Sequence, residues 1–406
     1  MTAFPLELET ARITGAPDDH PEITIVMPCL NEADTLESCI RAAQQALVEH
    51  QICGEIVVAD NGSTDGSQRI AERMGVRVIA VAERGYGSAL MAGIAAARGI
   101  YVLIGDADAS YDFSGIPRFL DKLRDGYDMA QGCRLKSGGG TVEKGAMPLL
   151  HRVWGNPMFS AMARMWFRAP IHDVQCGMRA FTKELYNRLD QRCTGMEFIS
   201  ENMIKSCLGG ARIAEVPITL RPDGRVSHPP HLRTFRDGWR NLRFYLMYCP
   251  RWLFLLPGVL LLGLGVLGYA IALPRLRIDG VTFDVHTLLF ASLAIIWGYQ
   301  SVIFAVMTKV FAIAEGMLPW DRRMTRLFEV VNLERGLMAG AVLIALGLSL
   351  LALAVVQWYH LHFGDLDYPR TLRLVIPGVT LATLGFQTVL SSFFISILGM
   401  KRRRVA

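Results

Sequence analysis

A chain of 406 residues has room for about two domains of roughly 100–200 residues each. Apolar residues make up 51%, high for a wholly soluble protein, and the formal net charge of +5 is modest, which disfavours nucleic acid as a partner. The apolar excess is uneven: residues 1–250 carry ordinary mixed charge and long stretches after Arg251 carry almost none, so the main boundary falls at Cys249-Pro250-Arg251.

The segment through His20 is polar and lacks an apolar stretch, so no cleavable signal peptide is expected. Residues 23–28 form a short apolar β-rich run, followed by Asn31-Glu32 and a helical stretch to about His50. Residues 55–59 are a second run, ending at Asp60; residues 76–81 are a third; residues 101–105 are a fourth, ending at Asp106. Strand and helix alternating at this spacing predict an α/β domain, a mostly parallel sheet with helices on both faces. In open sheets of this kind ligands gather at the carboxyl ends of the strands, where this chain carries Asn31-Glu32, Asp60 and Asp106. The eight cysteines are scattered singly with no Cys-x-x-Cys pair, so neither a zinc site nor a disulfide framework is expected.

Further on, Arg221, Arg225, Arg233, Arg236, Arg240, Arg243 and Arg251 lead into the first apolar span and read as contacts to anionic headgroups. Leu232, Phe235, Trp239, Leu242 and Leu246 recur at helical spacing, with the arginines largely on other faces. That pattern predicts an amphipathic helix over residues 231–250, suited to the membrane interface or to packing on the soluble domain. Four segments, residues 252–273, 288–307, 337–358 and 374–400, reach the ~20 apolar residues needed to cross a hydrocarbon core. Lys309, Arg322, Arg323, Arg326 and Arg335 crowd the loop between the second and third, and the chain ends Lys401-Arg402-Arg403-Arg404 before its last two residues. The positive-inside rule therefore puts residues 1–250, that loop and the C-terminus in the cytoplasm, and predicts a multi-pass protein of the inner (cytoplasmic) membrane. Tyr299, Gln300, Ser301, Gln387, Ser391 and Ser392 lie within spans and are expected to hydrogen-bond between helices rather than to line a path for a lipid substrate. Homo-oligomers through these helices are compatible with the arrangement.

The chemistry gathers at the strand ends. Ile104-Gly105-Asp106-Ala107-Asp108 places two carboxylates two residues apart, a pair suited to a hard cation shared with substrate phosphates. An isolated Asp-x-Asp is most often a solvated turn; its phase with the other strand ends singles this one out. In residues 58–67, Ser63 or Asp65 can cap a helix and Asp60 can accept from a base or ribose, although turn chemistry alone uses the same residues.

Pro28-Cys29-Leu30-Asn31-Glu32, Asp60-Asn61-Gly62-Ser63-Thr64-Asp65, Glu83-Arg84-Gly85-Tyr86-Gly87 and Asp106-Ala107-Asp108, in this order and spacing, resemble the family 2 glycosyltransferases with the nucleotide-diphospho-sugar (GT-A) fold. The resemblance implies a nucleotide-sugar site lined by Pro28, Leu30, Asn31, Glu32, Asp60, Asn61, Ser63, Arg84, Gly87 and Asp106. It also implies Mg2+ or Mn2+ on the diphosphate, held by Asp106 and Asp108. Gln131-Gly132-Cys133-Arg134, the stretch from Arg152 to Asn156 and His172-Asp173-Val174-Gln175-Cys176-Gly177-Met178-Arg179 resemble the polyprenyl-phosphate hexose synthases, closer to the dolichyl-phosphate glucose branch than to the mannose branch. The mannose pattern has a Gln where this chain has Ser110, and the Gln-x-x-Arg-Trp string of processive polysaccharide synthases is missing.

With a lipid phosphate as acceptor, Arg134, Arg152, Arg179 and Arg225 are the expected phosphate-binding residues. A phosphate monoester, with its second pKa near ~6, is already largely dianionic and needs positioning more than a base; Asp173 joins Asp106 and Asp108 as a catalytic candidate, either as base or as orienter. The implied reaction is inverting transfer of a hexose, glucose from UDP-glucose, to polyprenyl phosphate at the cytoplasmic membrane face. A GDP-mannose-dependent mannosyltransferase and a non-catalytic membrane scaffold or translocator are the alternatives; intact Asp106 and Asp108 speak against the latter. The expected division is a tail (1–21), a glycosyltransferase domain (22–230), an interfacial helix (231–250) and a membrane domain with four helices (251–406).

Overall fold

The computed structural model describes residues 20–227, 234–278, 281–315, 318 and 332–399. The expected tail up to position 19, Leu232 and Arg233 of the amphipathic stripe, Arg322, Arg323 and Arg326, and the basic C-terminus lie outside the described residues. The chain divides into two compact units between Tyr245 and Leu246.

The first unit alternates β1 (Ile23–Cys29), α1 (Leu36–Glu49), β2 (Gly54–Asp60), α2 (Ser67–Arg73), β3 (Arg77–Ala80), α3 (Tyr86–Ala96), β4 (Tyr101–Ile104), α4 (Ile116–Arg124) and β5 (Met129–Cys133). After β6 (Thr141–Val142) come α5 (Asn156–Phe167), β7 (Arg179–Thr182), α6 (Lys183–Leu189), α7 (Phe198–Leu208), β8 (Ile213–Pro217), β9 (Thr219–Leu220) and α8 (Thr234–Tyr248), within whose last turn the first unit ends. Seven strands form one sheet in the order β3-β2-β1-β4-β7-β5-β8. The first four are parallel, and β7 runs antiparallel between β4 and β5. The core strands are apolar on both faces, as a sheet covered twice requires. Ile25, Met27, Val58 and Leu103 bury one face with Leu36, Ile40 and Leu47 of α1 and Phe119 of α4. On the other face α3 lays Gly93 against Val26 and Ala59. In-phase pairing sets Cys29 opposite Asp60 and Asp60 opposite Ala80, so the strand-end residues finish on one edge.

The second unit contains α9 (Leu256–Ala272), α10 (Val285–Ala314), α11 (Leu333–His360) and α12 (Tyr368–Gly399). With the helical turn before α9, these supply four segments long and apolar enough to cross a membrane. Hydrogen bonds cross between helices: Tyr269 to Ser292 (2.6 Å) and Thr380 (3.2 Å), and Tyr299 to Thr388 (2.5 Å). Of the polar span residues expected to bridge helices, Tyr299 does so, whereas the Ser392 hydroxyl turns back to the Thr388 carbonyl of its own helix. Gly347 of α11 meets α12 so closely that a Cβ there would sit 2.6 Å from both the Gly378 carbonyl oxygen and the Ala382 nitrogen. Without a hydrophobic drive between helices in lipid, such small-residue contacts hold the pair. Gly347→Val is expected to lower the melting temperature of the detergent-purified protein, an overpacking cost of about 1–3 kcal/mol. Gly263→Val, at a position with open space around it, is expected to leave the melt unchanged.

Candidate active site

The loops that leave the parallel strands are stitched to one another by their own side chains. After β1, the peptide N–H of Asn31 donates to Ser63 Oγ (2.8 Å), and Asn31 Oδ1 accepts from the Thr64 N–H (2.8 Å). Glu32 N–H donates to Ser67 Oγ (3.0 Å) and Ala33 N–H to Asp65 Oδ2 (2.8 Å). After β2, the buried Asn61 donates to the Glu83 carbonyl (2.8 Å) and accepts from the Gly85 N–H (2.7 Å). Thr35 Oγ1 donates to the Ala107 carbonyl (2.7 Å). Four strand ends therefore form one rigid rim.

On that rim Asn31, Asn61 and Ser63 tie the loops together through these bonds. Pro28 lies buried within β1, Leu30 is half-buried just beyond it, and Arg84 is exposed before α3. Gly87 is pressed against the carbonyls of Cys193 and Gly195, so its small size serves packing with that loop. Asp60 is 1% exposed, and its Oδ2 accepts from Gln68 Nε2 (2.6 Å) and the N–H groups of Gly62 and Ser63 (both 3.1 Å).

The pair after β4 is differently supported. Asp106 Oδ1 accepts from the Tyr86 hydroxyl (2.8 Å). Asp108 Oδ1 accepts from the Ser110 hydroxyl (2.6 Å) and N–H (3.0 Å), and its Oδ2 lies 3.4 Å from Arg225 Nη1. Ser110, at the position where the mannose-synthase pattern has Gln, thus fixes the orientation of Asp108. Burial, and after it the charge of Asp108, push the Asp106 carboxyl up to about 7. Gly177 leaves this carboxylate open, since a Cβ there would lie 2.9 Å from Asp106 Oδ2. Among the described residues no three His, Cys, Asp or Glu side chains gather as a cation site. A cation here would take Asp106 and Asp108 and complete its shell with phosphate oxygens and water, the habit of Mg2+. The residues fit such an ion: the charge of Asp108 bears on Asp106, and among the described residues Asp106 has only a neutral hydroxyl as its hydrogen-bond donor.

A second cluster is basic. Arg134, at the end of β5, forks onto Asp173: Nε to Oδ2 (2.7 Å), Nη2 to Oδ1 (2.9 Å), with its own N–H also on Oδ2 (3.0 Å). Gln131 Nε2 donates to the carbonyls of Asp173 and Cys176 (both 3.1 Å), and the N–H groups of His172 and Asp173 donate to Glu215. Asp173 is 0% exposed with both oxygens engaged by Arg134. The expected role as a base therefore gives way to its alternative, orienting Arg134. Beside it opens a cavity of about 390 Å3 lined by Arg134, Lys136, Arg152, Val153, Arg164 and His172, among others.

Two of the expected phosphate-binding arginines are not in that lining. Arg179 is 0% exposed and donates to the carbonyls of Ile199, Val174 and Cys176 and to Asn202 Oδ1, so it braces the core between β7 and α7. That corrects its reading as a phosphate ligand. Arg225 instead forks onto Glu32 on the rim (Nε to Oε2 2.8 Å, Nη2 to Oε1 2.5 Å). Sequence reasoning missed Tyr86 and His172 although both stand inside the motif segments; Gln68, Lys136 and Arg164 belong to no motif and gave no signal.

The raised Asp106 value carries a sign. An ordinary carboxylate titrates near ~4, so above that pH the folded state must either hold a proton on Asp106 or bear its buried charge, and the cost grows with pH until it levels off above about 7. In metal-free protein Asp106→Asn is expected to raise the melting temperature by roughly 2–4 °C at pH 8, with a smaller gain at pH 5. A variant that melts lower at pH 8 contradicts this electrostatic picture.

The chain matches the family model for glycosyl transferase family 2 over residues 24–190, and that for the glycosyltransferase family 2 C-terminal transmembrane region over residues 306–399. It is 35% identical over 386 residues to the low-salt glycan biosynthesis hexosyltransferase Agl6 of Haloferax volcanii, covering 94% of this chain and 90% of that protein. It is also 35% identical over 201 residues to a dolichyl-phosphate hexose transferase of the same organism, covering 49% of this chain and 83% of that one. Among solved structures it is similar to glucosyl-3-phosphoglycerate synthase from Mycobacterium tuberculosis in complex with Mn2+, UDP and glucosyl-3-phosphoglycerate, with a TM-score of 0.46 and 21% identity over 61% of this chain and 86% of that one. The strand-end motifs, the two family matches, the full-length relative and the four apolar C-terminal helices converge on one conclusion: the chain belongs to the family 2 glycosyltransferases, in the polyprenyl-phosphate hexose synthase-like group that carries a C-terminal transmembrane region.

Proposed function

We propose that this glycosyltransferase moves a hexose, glucose from UDP-glucose, onto a polyprenyl phosphate at the cytoplasmic face of the membrane. The observation that carries the reading is the pairing of two sites of opposite sign through one short segment. Asp173 at its start locks Arg134 beside the basic cavity, and Gly177 near its end borders Asp106. A dianionic lipid phosphate suits the first site, and a cation-borne diphosphate suits the second. The name of one Haloferax relative, a dolichyl-phosphate hexose transferase, supports the same acceptor class, and that of the other, a hexosyltransferase, supports the group transferred.

In this mechanism Arg134, held rigid by Asp173, and Arg152 hold the lipid phosphate with one oxygen free to attack the anomeric carbon. The bond between that carbon and the diphosphate oxygen breaks as the new carbon–oxygen bond forms, inverting the centre. The attacking oxygen carries no proton at cytosolic pH, so no general base is needed. Bound at Asp106 and Asp108, Mg2+ or Mn2+ supplies neutralisation of the charge on the departing nucleoside diphosphate. Tyr86 and Ser110 keep the two carboxylates aimed. Most of the rate comes from positioning and charge stabilisation. On α8 the exposed Phe235 and Trp239 suit an interfacial helix that keeps the domain at headgroup level, and the lysine and arginine bias of the loops favours the cytoplasmic side.

The test is incubation of the purified full-length chain with short-chain polyprenyl phosphate, Mg2+ or Mn2+ and a panel of labelled nucleotide-sugars. Label from UDP-glucose is expected in the organic phase, and Asp108→Ala is expected to cut transfer at least ~100-fold while the melt is retained. Label from GDP-mannose alone would replace the donor. Transfer only to water-soluble acceptors would overturn the lipid reading.

A further inference from the structure

The rim contains a cation of its own. Residues 221–227, directly after β9, run across the Asp106–Asp108 turn like a strap. Arg221 N–H donates to the Ser110 carbonyl (2.9 Å), Gly224 N–H to the Asp108 carbonyl (3.0 Å), and the N–H groups of Val226 and Ser227 to Asp34 Oδ2 (3.1 and 2.9 Å). A side chain at Gly224 would meet Thr35 at 3.0 Å and Ala109 at 3.2 Å, so the backbone lies flat on the loops beneath. The strap is thus fixed through its main chain, and the part left to move is the Arg225 side chain. Its guanidinium grips Glu32 with Nε and Nη2, Asp223 with Nη1 (2.7 Å), and reaches Asp108 Oδ2 at 3.4 Å, the longest of its three ion pairs.

We propose that Arg225 is the resident counter-cation of the carboxylate pair: in the ligand-free chain its guanidinium holds the place at Asp108 that a divalent ion takes, and a diphosphate draws it away as the ion enters. This rests on the reading of Asp106 and Asp108 as the cation pair. A guanidinium cannot shed its proton to make room, so a divalent ion at Asp108 must push Nη1 off. The Asp108 contact breaks first because it is the longest, while Glu32 and Asp223 keep the side chain tethered over the rim. A diphosphate offers the displaced guanidinium a planar, charge-assisted partner. Ion and nucleotide therefore bind together, each strengthening the other by the same factor. Arg225 becomes a positioning residue that keeps the site closed to a bare ion and then aligns the leaving group.

The test titrates Mn2+ into the full-length detergent-purified chain, reading the free-ion EPR signal with and without UDP. In the wild type UDP is expected to tighten Mn2+ binding at least about tenfold. In Arg225→Gln, Mn2+ alone is expected to bind about tenfold tighter than to the wild type, and the UDP effect is expected to shrink by about the same factor, to what the phosphate oxygens themselves contribute. Arg225→Gln binding bare Mn2+ no tighter than the wild type overturns the proposal; so does a wild type in which UDP leaves Mn2+ affinity unchanged, a result that needs no variant to fold. Asp108→Asn separates the two levels. Loss of Mn2+ binding in that variant keeps the cation pair even if the Arg225 result fails, whereas undiminished binding removes the cation pair and the latch with it.

Discussion

The constraint on which the site depends is the crowding of carboxylates at the carboxyl edge of a parallel sheet. Glu32, Asp60, Asp106 and Asp108 are carried there by strands whose register leaves them no other place to go. Like charges in a half-buried setting raise one another's proton affinity unless something compensates them. Asp60 is answered by Gln68 and two turn N–H groups, and Glu32 by Arg225. Among the described residues Asp106 receives only the Tyr86 hydroxyl. Asp106 is thus the least compensated of the group, beside an Asp108 that is held by Ser110 and, at 3.4 Å, by Arg225.

The other half of the site inverts the sign and follows the same logic. Arg134 and Asp173 are both buried, a geometry in which an unpaired charge is costly, and they satisfy each other through a fork and a backbone bond. Asp173 thus spends its carboxylate on aiming one guanidinium, and Gln131 and Glu215 hold the loop that carries it. The segment from His172 to Arg179 is therefore a mechanical link: one end sets the basic cavity and the other, at Gly177, leaves clearance for Asp106.

Much of this was legible in the sequence because it is written in local signals. Apolar runs that end in Asp60 and Asp106 fixed the strands and the edge on which chemistry gathers, and mainly apolar stretches gave the four spans, with ends that differ from those of the helices by up to seven residues. What stayed hidden depends on side chains distant in sequence. Nothing local tells that Arg225 reaches back to Glu32, or that Lys136 and Arg164 share a cavity with Arg152. Arg179 shows the converse limit. A motif arginine looks like an anion ligand, yet its position on a central strand buries it among carbonyls.

The claim that a divalent ion on the aspartate pair carries the leaving group is tested most directly by crystals of the chain grown with Mn2+ and UDP, using the anomalous scattering of the metal. A single strong peak within ligating distance of Asp106 and Asp108, bridged to the diphosphate, is the expected result. A diphosphate held on the rim by arginines with the metal elsewhere, or with none bound, would contradict the account.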